Sequence, residues 1–257
     1  MPSIKKFRII KFKKFKPVLL LKDITKSYGR RPVLKGLSFD VGPSEIKGIL
    51  GPNGSGKTTI FQTIMGVIKP DGGQILLNNE IVNSLPIHSR ALKHKIGYVP
   101  QVGGFLHGLS VADNIEAFSE IHFKDARERN DIIQRIISEF NLDSISSIKA
   151  KDISGGEKRR LAISIAMINK PKIILLDEPF SALDILTIDM VKTLIFQLQK
   201  SNISCVITDH QAASILEISD SALILGNGTV VAEDSPKRLV QNELAKKIYF
   251  GSHFSLK

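Results

Sequence analysis

Residues 51–58 read GPNGSGKT, and this octet constrains the fold more than any other stretch. It fits the pattern G-x-x-x-x-G-K-[ST]. It follows a short apolar run (46–50, IKGIL) and opens a segment with helical periodicity (57–67), which is the strand–loop–helix context that the pattern requires. Glycines at 51, 54 and 56 let the backbone turn its N–H groups toward phosphate oxygens. A helix starting near Lys57 adds the positive end of its dipole. Lys57 is expected to reach the β- and γ-phosphates, and the Thr58 hydroxyl to sit on Mg²⁺. The predicted triphosphate-binding segment is Gly51, Pro52, Asn53, Gly54, Ser55, Gly56, Lys57, Thr58 and Thr59.

Further strand-like runs occur at 18–21, 96–99, 173–176, 203–207 and 222–225. Helical periodicity recurs near 111–121, 126–140, 156–169, 184–200 and 236–249. Continuous apolar runs between helical patterns predict a largely parallel sheet covered on both faces, an α/β fold. Residues 102–170 read as an inserted, polar-rich helical subdomain within a domain spanning 18–257. No run of 18 or more apolar residues exists, so nothing is expected to span a bilayer. The single cysteine, Cys205, lies in a strand-like run, permits no internal disulfide and fits a reducing compartment.

A second motif completes the chemistry. Residues 173–178 read IILLDE, a buried strand ending in two acids. Asp177 is expected to hold Mg²⁺ directly or through water, and Glu178 to polarise the attacking water as a general base. Alone, this reads as easily as a strand and a solvated acidic turn; coupled to the phosphate loop it reads as a catalytic pair.

With ISGGE at 153–157, the chain resembles the ABC-type ATPases. Tyr28 in SYGRR is similar to the aromatic that stacks on adenine. Gln101 in YVPQ is similar to the Q-loop glutamine, SALD at 181–184 to the D-loop, and His210 in ITDH to the switch histidine. The resemblance covers residues 18 to about 250. It implies ATP and Mg²⁺ as ligands, with Thr58, Gln101 and Asp177 at the metal, and a P-loop ABC nucleotide-binding domain with a RecA-like core, an antiparallel β part and a helical subdomain. It makes Glu178 and His210 the hydrolysis residues. It also implies that Ser154, Gly155, Gly156 and Glu157 contact the ATP of a second copy, with Asp184 at the seam of a head-to-tail homodimer. By themselves a lone Tyr, Gln or His in these settings reads as packing, loop or cap; the order of the motifs carries the assignment. His88, His94, His107, His122 and His253 stay in that ordinary class.

Membrane subunits would dock beside the Q-loop. Phe105 and Leu106, apolar in a glycine-rich loop, suit a coupling helix or equally cap the subdomain core. Within the family, SGGEKRR, ITDHQAAS and a terminal YFGSHF resemble the ATP-binding subunit of the lipopolysaccharide export transporter of Gram-negative bacteria, working on the cytoplasmic face of the inner membrane. The chain departs from that pattern with Ile153 before SGGE, and with His107 and Gly108 where a basic pair is usual. The alternatives are the ATPase of a branched-chain amino-acid importer and a non-transport ABC ATPase.

The formal net charge of +11 would suggest nucleic acid. Its distribution argues otherwise. Residues 1–17 carry seven basic and no acidic side chains, and the remaining 240 carry 29 basic and 25 acidic. The body is only mildly basic, so no nucleic-acid partner is expected. The basic extension, interleaved with Ile and Phe, suits a weak contact with anionic headgroups, or is a disordered tail or the product of a wrongly chosen start.

Overall fold

The computed structural model of the chain describes residues 16–251 and 254. The expectations for the basic extension and for His253 therefore fall outside the described residues, apart from Lys16 and Pro17.

The chain begins with a hairpin, β1 (Leu19–Tyr28) and β2 (Arg31–Val41), joined at Gly29–Arg30. The phosphate loop separates β3 (Ile46–Leu50) from α1 (Lys57–Met65). A second hairpin, β4 (Gly72–Leu77) and β5 (Glu80–Ile81), turns on Asn78 and Asn79, both at positive φ. That is the backbone of a two-residue turn whose twist matches its strands, and Asn tolerates it. Next come α2 (Ile87–Lys93), β6 (Ile96–Val99), α3 (Val111–His122), α4 (Ala126–Glu139), a 3₁₀ turn (Asp143–Ile145) and α5 (Gly155–Met167). The chain returns through β7 (Ile173–Asp177), α6 (Ile185–Lys200), β8 (Ser204–Thr208), α7 (Ala212–Ile218), β9 (Ser221–Gly226) and β10 (Thr229–Asp234). It closes with α8 (Pro236–Leu239), α9 (Glu243–Ala245) and a π-helical turn (Lys246–Phe250).

Two sheets result. One is antiparallel, in the order β2-β1-β4-β5. The other runs β10-β9-β3-β8-β7-β6, parallel except for the β9–β10 hairpin. Alternate residues of its strands feed two apolar cores, because side chains in a strand point to opposite faces. Ile49, Ile173, Leu175, Val206 and Leu223 join α1 and the antiparallel sheet in one core. Ile46, Ile174, Leu176, Cys205 and Ile207 join α5, α6 and the helices around them in the other. Burial raises the Cys205 thiol to about 12, as befits a small core residue.

The structure departs from the sequence pattern in three places. The strands β2, β4, β5 and β10 and the short helices α2 and α7 had no counterpart in the predicted elements. The helix expected over 236–249 is broken into α8, α9 and the π turn. And β3 is not wholly apolar: Lys47 is buried, its ammonium held by Glu233 of β10 and lying 3.6 Å from Glu45. Burial pulls the Lys47 pKa down, but these carboxylates outweigh it and leave it raised.

Candidate active site

In the strand order β3-β8-β7-β6, each strand delivers its next loop to the same edge of the sheet. The phosphate loop follows β3, Glu178 follows β7, Asp209 and His210 follow β8, and Gln101 lies just beyond β6. A parallel sheet gathers ligand-binding groups at the carboxyl ends of its strands for this reason.

The loop closes into α1 at Gly56, whose φ of 111° lies in a region L side chains rarely adopt. A Cβ there would also come within 2.9 Å of Leu34 Cδ2 and push that side chain aside, so the backbone conformation and the space both favour glycine. Lys57 is nearly buried, and its Nζ donates to the carbonyl oxygens of Gly51 (2.7 Å) and Pro52 (3.2 Å). Burial lowers its pKa, opposed by the carboxylates of Glu178, Asp177 and Asp209. The Ser55 hydroxyl is buried beside it without a hydrogen-bond partner among the described residues. An open cleft of about 280 Å³ lies above the loop, lined by Arg31, Asn53, Lys57, Thr58, Glu178 and His210 among others.

Glu178 has a left-handed backbone (φ 48°), a conformation that is strained for a residue with a side chain. Its N–H is tied to Thr208 O at 2.7 Å. Its carboxylate is held on both oxygens. Gln101 Nε2 donates to Oε2 at 2.6 Å, and His210 Nε2 lies 2.7 Å from Oε1. Three residues singled out separately in the sequence thus meet at one carboxylate.

Asp177 is buried, accepting from the Thr208 hydroxyl at 2.7 Å and more weakly from the Tyr98 hydroxyl at 3.4 Å. Burial, and then the Asp177 charge, push the Tyr98 phenol up to about 12. Asp209, buried in the ITDH turn, accepts from Phe180 N and Gln211 N and so pins the loops after β7 and β8 together. The donor set suits Mg²⁺, which takes oxygen ligands and keeps several waters. Thr58 faces the cleft, Asp177 lies at the strand end, and no cluster of three or more His, Cys, Asp or Glu that could cage a metal occurs among the described residues.

The SGGE segment is built as a helix start. Ser154 Oγ accepts from Glu157 N (3.3 Å), and the Glu157 carboxylate accepts from Ser154 N (2.8 Å) and Oγ (2.7 Å), a capping box at the head of α5. These bonds hold the Glu157 carboxyl below the usual glutamate range. Gly156 lies against the first turn of α6, where a Cβ would meet Thr187 Cγ2 at 2.6 Å. Asp184 caps that same turn through Thr187 N and Oγ1 (3.0 and 2.6 Å). Hydrogen bonds from Thr187 lower its pKa.

Not every expected residue joins the cleft. None of Ser154, Gly155, Gly156, Glu157 and Asp184 lines it. Tyr28, about half exposed beneath the Lys26 ammonium, is not among the lining residues either; its cross-strand neighbour Arg31 is. Leu106 is exposed, with its backbone braced by the buried Asn114, whereas Phe105 packs onto the core and against His107. Arg31, Tyr98, Arg159, Thr208 and Asp209 had not been singled out. They lie in ordinary-looking contexts, and only partners distant in sequence give them a role.

The ABC transporter family profile matches residues 34–181. The chain is 36% identical to the lipopolysaccharide export system ATP-binding protein LptB of Haemophilus influenzae over 241 residues, covering 93% of this chain and 99% of that one. Its identity to LptB of Escherichia coli K12 is also 36%, over 239 residues. The fold superposes on the ADP conformation of an ATP-binding cassette of an ABC transporter with a TM-score of 0.82 at 22% identity, covering 92% of this chain and 100% of that one. A dimeric, post-hydrolysis cassette bound to ADP and phosphate matches with a TM-score of 0.75 at 27% identity, covering 85% of this chain and 98% of that one. With a phosphate loop, a strand-end Asp-Glu pair and a helix-capping SGGE, the chain belongs to the ABC transporter ATP-binding family and is an ATPase.

Proposed function

We propose that the chain is the ATP-hydrolysing subunit of a lipopolysaccharide exporter. The observation that carries this reading is the 36% identity to LptB over nearly the full length of both chains. No helix among the described residues is long and apolar enough to cross a membrane, and in this reading membrane subunits that dock on the chain supply the transport path. The exposed Leu106 beside Gln101 is where they would bear on this chain, from the cytoplasmic face of the inner membrane.

In this reading ATP lies along the phosphate loop, with its base toward Tyr28 and its phosphates toward Arg31 and Lys57. Lys57 exchanges its bonds to the Gly51 and Pro52 carbonyls for phosphate oxygens. Thr58 and Asp177, with Gln101 nearby, hold Mg²⁺, which when bound neutralises charge on the phosphates. Glu178 accepts the proton of the water that attacks the γ-phosphorus, as the bond to the ADP oxygen breaks. His210 and Gln101 orient that carboxylate. The Ser154–Glu157 segment closes over the ATP of a second copy, with Asp184 at the seam. The domain spans residues 18–257, with the helical subdomain at about 102–170.

Depleting the protein from its host should make lipopolysaccharide accumulate at the inner membrane. Unchanged delivery to the outer membrane, with impaired uptake of branched-chain amino acids instead, would turn the reading to an importer.

A further inference from the structure

Arg159 is a charged side chain with nearly the burial of an apolar core residue, 8% exposed, on the signature helix α5. It is one turn and a half beyond Ser154. Its guanidinium meets three carbonyl oxygens that belong to two other segments. Nη1 donates to Pro100 O at 3.0 Å, and Nη2 donates to Gln101 O at 3.1 Å and to Glu178 O at 3.2 Å. Burial lowers its pKa, against the opposing pull of Asp209, Asp177 and Glu178. Only arginine carries a planar fork of donors able to reach several carbonyls at fixed angles.

These bonds close a ring. Arg159 holds the backbone of Gln101, whose side chain donates to the Glu178 carboxylate, and it holds the backbone of Glu178 itself. The strained φ of Glu178 lies inside the ring, so Arg159 opposes relaxation of that backbone. One turn and a half before Arg159, at the start of α5, Ser154 and Glu157 cap the helix. A helix moves as a unit, and hydrogen bonds weaken steeply once their geometry is lost. A displacement of α5 therefore reaches Gln101 and Glu178 through one side chain.

We infer that Arg159 is a positioning residue that couples the signature helix, which serves the partner's ATP, to the Gln101–Glu178 pair that acts on the chain's own ATP. This rests on the roles proposed above for Glu178 and for the Ser154–Glu157 segment. The consequence is cooperativity: engagement of one nucleotide by α5 tightens the catalytic carboxylate of the other site.

The test is steady-state ATP hydrolysis by the purified full chain against ATP concentration, for wild type, R159K and R159Q. Thermal melting is measured in parallel, with R160Q as a control because Arg160 donates to Asn141 O on another segment. For R159Q, kcat should fall about 10-fold or more while KM stays within about twofold, the signature of a group that acts in the transition state rather than in binding. The Hill coefficient should drop from about 2 toward about 1, the upper limit being the number of coupled sites. R159K, which keeps the charge but not the fork, should regain part of kcat while remaining non-cooperative. R160Q should behave as wild type. An R159Q/E178Q double variant should still form the ATP-bound dimer. Wild-type kcat and Hill coefficient in both Arg159 variants would overturn the inference. So would loss of dimerisation in step with a lowered melting temperature, which marks a purely structural residue. If R159Q fails to fold, R159K decides by the same two readouts. A single E178Q variant that hydrolyses ATP at the wild-type rate would instead remove the underlying assignment of Glu178. An inactive E178Q beside fully cooperative Arg159 variants would remove only the coupling.

Discussion

At the scale of single residues, the cleft is a set of side chains held ready by their neighbours. Lys57 illustrates it. Its ammonium is drawn from water onto two loop carbonyls and sits among three carboxylates that offset only part of the cost of burial, leaving its pKa lowered. Phosphate oxygens are stronger acceptors than carbonyls because they carry charge. Lys57→Ala should therefore weaken ATP binding by about 1.5–3 kcal/mol, or roughly 10- to 100-fold in Kd, the usual range for charged hydrogen bonds. Titration with a fluorescent ATP analogue measures this; an unchanged Kd removes Lys57 from the phosphate site. Glu178 illustrates the same principle in the backbone: its left-handed φ aims the carboxylate between Gln101 and His210. The motifs that name Lys57, Asp177 and Glu178 were legible in the sequence. The residues that hold the acid pair, Tyr98 and Thr208 at Asp177 and Thr208 and Arg159 at Glu178, were not. A tyrosine, a threonine and an arginine at those positions are common, and their roles depend on atoms up to 79 residues away.

At the scale of the element, α5 carries the clearest local logic. Ser154 and Glu157 satisfy orphan N–H groups at its start, and Gly156 allows α6 to approach. Ser154→Ala should lower stability by about 1 kcal/mol, the usual cost of a lost N-cap, read by urea unfolding. Glu157 adds a pH dependence. Its carboxyl is depressed in the folded state, so its contribution is complete above the ordinary glutamate pKa and is lost as pH falls through the lower folded value. Glu157→Gln should flatten the loss of stability on acidification in that window; an unaltered acid limb in the melting temperature would contradict it. Helix patterning was readable for α1, α3, α4, α5 and α6, because each is long and amphipathic or buried. The β9–β10 hairpin also had a local signal: Asn227 and Gly228, both at positive φ, are a strong two-residue turn pair that the hydrophobic pattern alone passed over. β2 carried a local signal as well, since buried Leu37, Phe39 and Val41 alternate with Ser38 and Asp40. β4 gave less, because only Ile75 and Leu77 of its six residues are buried and β1 pairs with it through a register shift.

At the scale of the whole molecule, the nucleotide cleft and the SGGE helix start are separate on one chain, and the proposed function divides the site between two copies. Ile185 and Leu186, about 80% exposed just after Asp184, leave an apolar step beside that helix start. ATP should join two chains, and hydrolysis should part them. Glu178→Gln should reduce turnover by about 10²–10⁴-fold, the range for loss of a general base, while leaving binding intact. With ATP it should elute as a dimer on gel filtration, and wild type as a monomer once ATP is spent. A monomeric, fully active variant would refute both the base and the seam.

The sequence by itself marked the chemistry: GPNGSGKT and IILLDE read as a phosphate loop and a strand-end acid pair through short spacings that local backbone geometry can read, and ISGGE carried the family resemblance. It also located the charge, since the basic excess is mainly in residues 1–17. Only the tertiary structure decided which groups meet. Gln101, Glu178 and His210 converge because β6, β7 and β8 lie side by side in a parallel sheet, and Arg159 reaches two of them because α5 packs across their ends. Such convergence is set by strand order and by the packing of two cores. These depend on contacts across the whole chain and leave no periodic trace in any one segment of it.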